Sequence, residues 1–310
     1  MKVLVTGGTG FIGRYLVEEL LEHGYKVRVF ARHAFKGDAE SFIGDITDFE
    51  SIKKAMKGID AVFHNAAYAM DWGSKKEFYR VNVVGSENVA KACVENGIEN
   101  LIYTSSAGVY GFPNSKEPIT EESQKNPLNA YQKSKWQGEK AIEKYEINAA
   151  FIRPPLVLGA GGMATKIMLS SIENGRFSYI GSGNTFIPIV HPKDVAACMR
   201  LALEKNARGA FNVVSFHCRI KEFVEKLAEL MNARKPNKHV SYGMAYAFAI
   251  ISEGIAKITG KEPFLTRFRV KSLGTDRIIS YERAMKLLGY KPSFDMEKTA
   301  MDMVNWYKNQ

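Results

Sequence analysis

The chain opens Lys2-Val3-Leu4-Val5-Thr6-Gly7-Gly8-Thr9-Gly10-Phe11-Ile12-Gly13. An apolar β-type run meets a glycine cluster, and the cluster leads straight into a helical pattern with Phe11, Ile12, Tyr15, Leu16 and Leu20 on one side. In that strand–turn–helix setting the glycines have separate jobs. Gly7 allows the tight turn, Gly10 lets the backbone approach a pyrophosphate, and Gly13 lets the helix pack close to the strand. The helix N-terminus then offers free N–H groups and a positive dipole end to the phosphates. Gly7, Gly10, Phe11, Ile12 and Gly13 are therefore expected to bind a dinucleotide.

Outward from this motif, strands and helices alternate. Strands are expected over 2–6, 26–31, 42–46, 60–66, 100–105 and 149–158, and helices over 11–23, 48–57, 77–96 and 130–145. Alternation of this kind implies parallel pairing through crossovers, hence an α/β doubly wound parallel sheet of the Rossmann type. After residue 159 the rhythm breaks into short segments separated by Gly and Pro, with helices expected over 193–205, 221–232 and 280–288. Residues 1–158 read as the dinucleotide-binding domain and 159–310 mainly as a smaller substrate lobe. The run 210–215 (AFNVVS) reads as a strand rejoining the main sheet, so the lobe is partly interleaved.

The 310 residues include 43 Lys+Arg against 33 Asp+Glu, a net charge of +10. The lysines are scattered as pairs such as Lys53-Lys54, with no basic run and no interleaved aromatics, so a solvated surface is expected and no nucleic-acid partner. Three cysteines (Cys93, Cys198, Cys218) lack any metal-type spacing, so neither a disulfide framework nor a metal site is expected. With no signal-peptide pattern and no apolar run long enough to span a bilayer, the expected location is cytoplasmic.

The end of the second strand selects the dinucleotide. NAD sites place an acid there for the ribose 2′-hydroxyl, whereas NADP sites prefer a cation. Here Ala31-Arg32-His33 follows the strand and no carboxylate comes before Asp38. Arg32 offers a planar fork to a 2′-phosphate, with Lys36 in support, so NADP is favoured over NAD. For chemistry, Tyr131 and Lys135 stand four apart on one helical face, and Ser105-Ser106 end the fifth strand. A phenol has a pKa near 10, and a neighbouring ammonium lowers it. Tyr131 is expected to exchange a proton with the reacting oxygen, Ser106 to hydrogen-bond that oxygen, and Lys135 to tune the phenol.

Taken together, TGGTGFIG, Gly44-Asp45-Ile46, His64-Asn65-Ala66-Ala67, Val81-Asn82-Val83-Val84-Gly85, TSSAGVYG, YQKSK, Arg153-Pro154-Pro155 and His191-Pro192-Lys193-Asp194-Val195 resemble, in order and over nearly the whole chain, the extended short-chain dehydrogenases/reductases. The resemblance implies that Asp45 and Ile46 flank adenine, that Ala66 and Ala67 line the cofactor cleft, and that Asn82 supports the site. It makes Ser106, Tyr131 and Lys135 the catalytic triad, with Tyr131 and Lys135 also touching cofactor. It further suggests a homodimer built from the helices at 77–96 and 130–145.

Two departures bear on substrate. Ile187 and Leu273 stand where sugar-nucleotide enzymes of this family carry diphosphate-binding arginines, although Arg267, Arg269 or Arg277 could compensate. Residues 240–251 carry no charge, and 240–258 resemble the tail of the 3β-hydroxysteroid/sterol dehydrogenase-like branch, as does Asp71-Trp72-Gly73. That segment reads either as a buried helix or as a lid or peripheral membrane contact. The expected function is NAD(P)-dependent interconversion of a secondary alcohol and a ketone on an apolar, sterol- or isoprenoid-like small molecule. The alternatives are a sugar-nucleotide epimerase or dehydratase and a redox-sensing dinucleotide-binding protein. Asp194 is expected to cap the helix that follows it.

Overall fold

A computed structural model describes residues 1–113 and 117–310. The first half runs β1 (Lys2–Thr6), α1 (Phe11–Glu22), β2 (Lys26–Ala31), β3 (Glu40–Ile43), α2 (Phe49–Ala55) and β4 (Ala61–His64). It continues through α3 (Lys75–Tyr79), a π-helical turn (Arg80–Val84), α4 (Gly85–Glu95), β5 (Asn100–Thr104), a 3₁₀ turn (Ala107–Tyr110), α5 (Ala130–Ile142) and β6 (Asn148–Arg153). The second half runs β7 (Leu156–Val157), α6 (Met163–Glu173), β8 (Ser178–Ile180), β9 (Phe186–Val190), α7 (Pro192–Glu204), β10 (Gly209–Asn212) and β11 (Phe216–Arg219). Then follow α8 (Ile220–Leu230), β12 (Lys238–Val240), α9 (Tyr242–Thr259), α10 (Arg267–Gly274), α11 (Glu282–Leu288) and α12 (Met296–Lys308).

Seven strands form one parallel sheet in the order β10-β6-β5-β4-β1-β2-β3. Side chains alternate across it: Val3 and Val5 join one core with α1, α7 and α11, while Leu4 joins the other with α2, α4 and α5. The strand order reverses at β1 and β4, so a crevice opens at their C-terminal ends, where open α/β sheets bind ligands. β10 pairs with β6, so the chain returns from the second lobe to complete the main sheet. The second lobe has its own apolar core, drawn from β9, β11, α6, α8 and α12.

Three differences from the sequence reading have physical causes. The strand expected over 149–158 stops at Arg153, because Pro154 and Pro155 cannot donate to a ladder, and Leu156–Val157 pairs instead with β9. The helix expected over 77–96 begins at Lys75 and is interrupted by the π-helical turn. The cap of α7 is His191, whose Nδ1 accepts from Lys193 N–H at 3.2 Å. Asp194 is buried in the first turn, where it accepts from the Ser215 and Ser293 hydroxyls at 2.5 and 2.6 Å.

Candidate active site

The crevice is a cleft of about 600 Å³ at the ends of β1, β4, β5 and β6. Its floor is the turn into α1. Gly7 has φ +70°, and a Cβ there would stand 2.7 Å from the Ala66 Cα, so the two chain segments touch backbone to backbone. At Gly13 a Cβ would fall 2.1 Å from the Gly7 carbonyl oxygen, which fixes how closely α1 approaches the turn. The α1 N-terminus carries no side-chain cap and no acid in its first turn, and Gly10, Phe11 and Ile12 line the cleft there. An uncapped positive helix end facing an open cleft fits the pyrophosphate of a dinucleotide.

Farther along the same wall stand Arg32, Asp45, Ile46, Ala66 and Ala67. Asp45 accepts from Thr47 N–H and Oγ1–H at 2.9 and 2.8 Å. Although burial opposes it, this pair together with the charges of Arg80 and Arg32 holds the Asp45 carboxyl below the usual range. Glu77, on the same wall, is engaged by Arg80 at 2.8 Å. Arg32 is exposed at the end of β2, and Lys36 lies off the cleft wall.

Ser106, Tyr131 and Lys135 meet at the opposite end. Ser106 begins the 3₁₀ turn and its Oγ accepts from Gly108 N–H at 3.0 Å, which leaves the hydroxyl proton free to donate. Burial pushes the Tyr131 phenol up to about 12, against the opposing influence of the Ser106 hydroxyl. Burial pulls the Lys135 ammonium down to about 7, partly offset by Glu139. The expected lysine effect on the phenol is not what governs it here. Lys135 Nζ instead sits 4.0 Å from the centre of the Tyr103 ring, and burial together with the lysine charge pulls His64 down to about 3. Tyr131 is accordingly protonated at neutral pH, the form that donates to a carbonyl oxygen.

Two of the expected binding residues lie behind the cleft wall: Gly13, as described, and Asn82. Asn82 is fully buried in the π-helical turn. Its Oδ1 accepts from Tyr68 N–H at 2.7 Å, and its Nδ2 donates to the Tyr68 carbonyl at 3.1 Å and the Ser134 hydroxyl at 2.9 Å. It thus positions the loop after β4 and the helix that carries Tyr131. Behind it runs a directed chain. Ser86 gives its hydroxyl proton to the Asn82 carbonyl, so it accepts from His64 Nε2–H; His64 Nδ1 then accepts from the Thr6 hydroxyl, whose oxygen also accepts from Ala66 N–H.

The sequence reading left several contributors unassigned. Tyr68 borders both this cleft and a second cavity of about 640 Å³. Arg80 anchors the wall at Glu77 and Thr47, and its spacing of three from Glu77 was the available signal. Arg153, noted only as part of a motif, forms a buried pair with Glu139 at 2.6 Å, and Glu139 in turn accepts from Ser105 beside Ser106. No sequence periodicity pairs residues so far apart.

Residues 3–214 match the family profile described as "NAD dependent epimerase/dehydratase family". The chain belongs to that family. Among its relatives in this epimerase/dehydratase family, the mouse sterol-4-alpha-carboxylate 3-dehydrogenase (decarboxylating) is 30% identical, over 96% of this chain and 88% of its own. The 2-alkyl-3-oxoalkanoate reductase of Stenotrophomonas maltophilia is 31% identical, over 96% and 97%. The crystal structure of the UDP-glucuronic acid 4-epimerase from Bacillus cereus, in complex with NAD, superposes with a TM-score of 0.80 at 20% identity, covering 100% of this chain and 99% of that one. Family membership makes this protein an NAD(P)-dependent oxidoreductase of the extended short-chain dehydrogenase/reductase type. A nicotinamide cofactor bound in such a cleft supplies or accepts the hydride.

Proposed function

We propose that the enzyme interconverts a secondary alcohol and a ketone on a largely apolar small molecule, with NADP as the preferred cofactor. The Tyr131 hydroxyl passes its proton to the reacting oxygen during reduction and recovers it during oxidation, the Ser106 hydroxyl donates a hydrogen bond to that oxygen, and Lys135 is in place to hold cofactor.

The observation that carries the substrate class is the fate of the arginines. Arg267 is taken by Glu253 at 2.8 Å and Arg269 by Asp71 at 2.8 Å. Ile187 is fully buried in β9, and Leu273 packs on the second core. Among the described residues only Arg277, of the three arginines, lacks an acid partner: Nη2 donates to the Ser272 carbonyl at 2.8 Å and Nε is buried without a partner. Burial lowers it to about 10. The capture of Arg267 and Arg269 by acids favours an apolar body with a single carboxylate, the kind of molecule that both relatives' names describe, over a diphosphate that calls for several free cations. For the cofactor, support comes from Arg32 on the wall and from Asp45 and Glu77 being engaged elsewhere.

The test is net oxidation of NADPH, followed by absorbance, with a 2-alkyl-3-oxoalkanoate as substrate, beside calorimetric titration with UDP-glucose. Turnover of the oxo acid without UDP-glucose binding is expected. Binding of UDP-glucose that Arg277→Ala abolishes, with no net turnover, would install the epimerase reading instead. We also propose a homodimer through the outer faces of α4 and α5, checked by sedimentation equilibrium.

A further inference from the structure

α9 is not a buried helix. Ala245, Ala249, Ser252, Glu253 and Ala256 face the protein, and Glu253 is neutralised there by Arg267. The other side displays Met244, Phe248, Ile251, Ile255 and Ile258, at spacings of four, three, four and three, with Phe264 just beyond the helix. These side chains are not grazed by solvent but stand in it: Met244 is 69% exposed, Ile258 88% and Phe264 84%. Between residues 243 and 256 the exposed positions hold only Gly, Met, Ala, Phe and Ile. A contiguous stripe of this kind marks a contact surface rather than the scattered apolar exposure of an ordinary protein face.

Charge indicates what the stripe meets. Lys257 and Lys261 are exposed at its C-terminal end, with Glu262 the only acid between residues 254 and 275. A second copy of the chain packed on this helix would set its Lys257 and Lys261 end against a stripe that displays no acid. An anionic lipid surface accepts both the apolar stripe and the cationic end. No described helix is long and apolar enough to cross a membrane, and α9, at about 27 Å, is long enough to lie along one. We propose that α9 and Phe264 dock in the interfacial layer of a bilayer containing anionic lipid. The second cavity is lined by Glu253, Ala256 and Lys257 of the same helix and by Gly260 that caps it, so the helix that docks also walls that cavity. That substrate enters there from the lipid rests on the function proposed above, but the docking itself does not.

The test therefore uses neither substrate nor cofactor. The full chain is floated with vesicles of phosphatidylcholine containing about 25% phosphatidylglycerol, and with phosphatidylcholine alone. The wild type is expected to float with the anionic vesicles, and the double variant Ile255→Glu/Ile258→Glu to lose about tenfold in bound fraction while keeping its far-ultraviolet dichroism. Lys257→Gln/Lys261→Gln should weaken flotation and remove its sensitivity to salt. The proposal is overturned if the wild type stays unbound, or if the double glutamate variant floats as the wild type does. It is equally overturned if that variant converts a lipid-free oligomer to monomer on gel filtration, since the stripe is then a contact between copies.

Discussion

Tyr131 lies four residues before Lys135 on one face of α5, with the Ser106 hydroxyl beside the phenol. Tyr131→Phe keeps the ring and removes the proton, so turnover should fall by about two orders of magnitude while NADPH affinity, read by fluorescence titration, stays within about twofold. Lys135 gives a pH test whose sign is fixed. Its ammonium is lowered from 10.5 to about 7 in the fold, so between those values the unfolded chain holds a proton that the folded chain lacks. Stability from this site rises with pH across that window and is lowest below about 7. Lys135→Met removes the buried charge, so the melting temperature of the variant should exceed that of the wild type at pH 6, the gap closing toward pH 10. Arg32→Asp should reverse the order of NADPH and NADH binding, checked by titrating both. The residues themselves were legible from strand ends and helical spacing; their acidities were not, because burial by distant segments outweighs the sequence neighbour.

The π-helical turn between α3 and α4 is one element that the hydropathy pattern could not disclose. A period of 3.6 drifts little over a single wide turn, so residues 77–96 read as one helix, yet the wide turn carries Asn82, which holds Tyr68 and Ser134. Asn82→Ala would leave the Tyr68 N–H and the Ser134 hydroxyl short of partners. A loss of about 2–4 kcal/mol in urea denaturation is expected. A drop in kcat larger than the rise in KM should accompany it, since Ser134 also donates to the Tyr131 carbonyl at 2.8 Å. The parallel strands and α1 were readable because each is a single local run. The short strands β8, β9, β11 and β12 were missed because they pair across long loops and hold only three to five residues each.

At the scale of the molecule, buried polar contacts tie the lobes together. His191, which caps α7 of the main-sheet core, faces Asp302 of α12 at 3.0 Å and stacks on Phe294 at 3.6 Å between ring centres. Asp194 fastens α7 to Ser215 and Ser293. A fragment ending at residue 158 would lose β10 and α7 and bare the edge of β6. Such a fragment should appear in the aggregated fraction on size-exclusion chromatography. The interleaving itself was readable in the run at 210–215, but which polar residues clasp the lobes was not, since Asp194 meets partners about a hundred positions away.

The return of the chain through β10 also bears on how new specificities arise on this scaffold. A module joined at one linker can be exchanged whole between genes, carrying its specificity with it. Here the sheet that holds the nucleotide is finished by residues 209–212, and α11 packs beneath it from still later in the chain. No single crossover point separates a specificity cassette from the nucleotide-binding half. Diversification on this architecture favours point changes and loop replacement in place, since a chimera built at one junction would have its nucleotide-binding sheet finished by the other parent's strand.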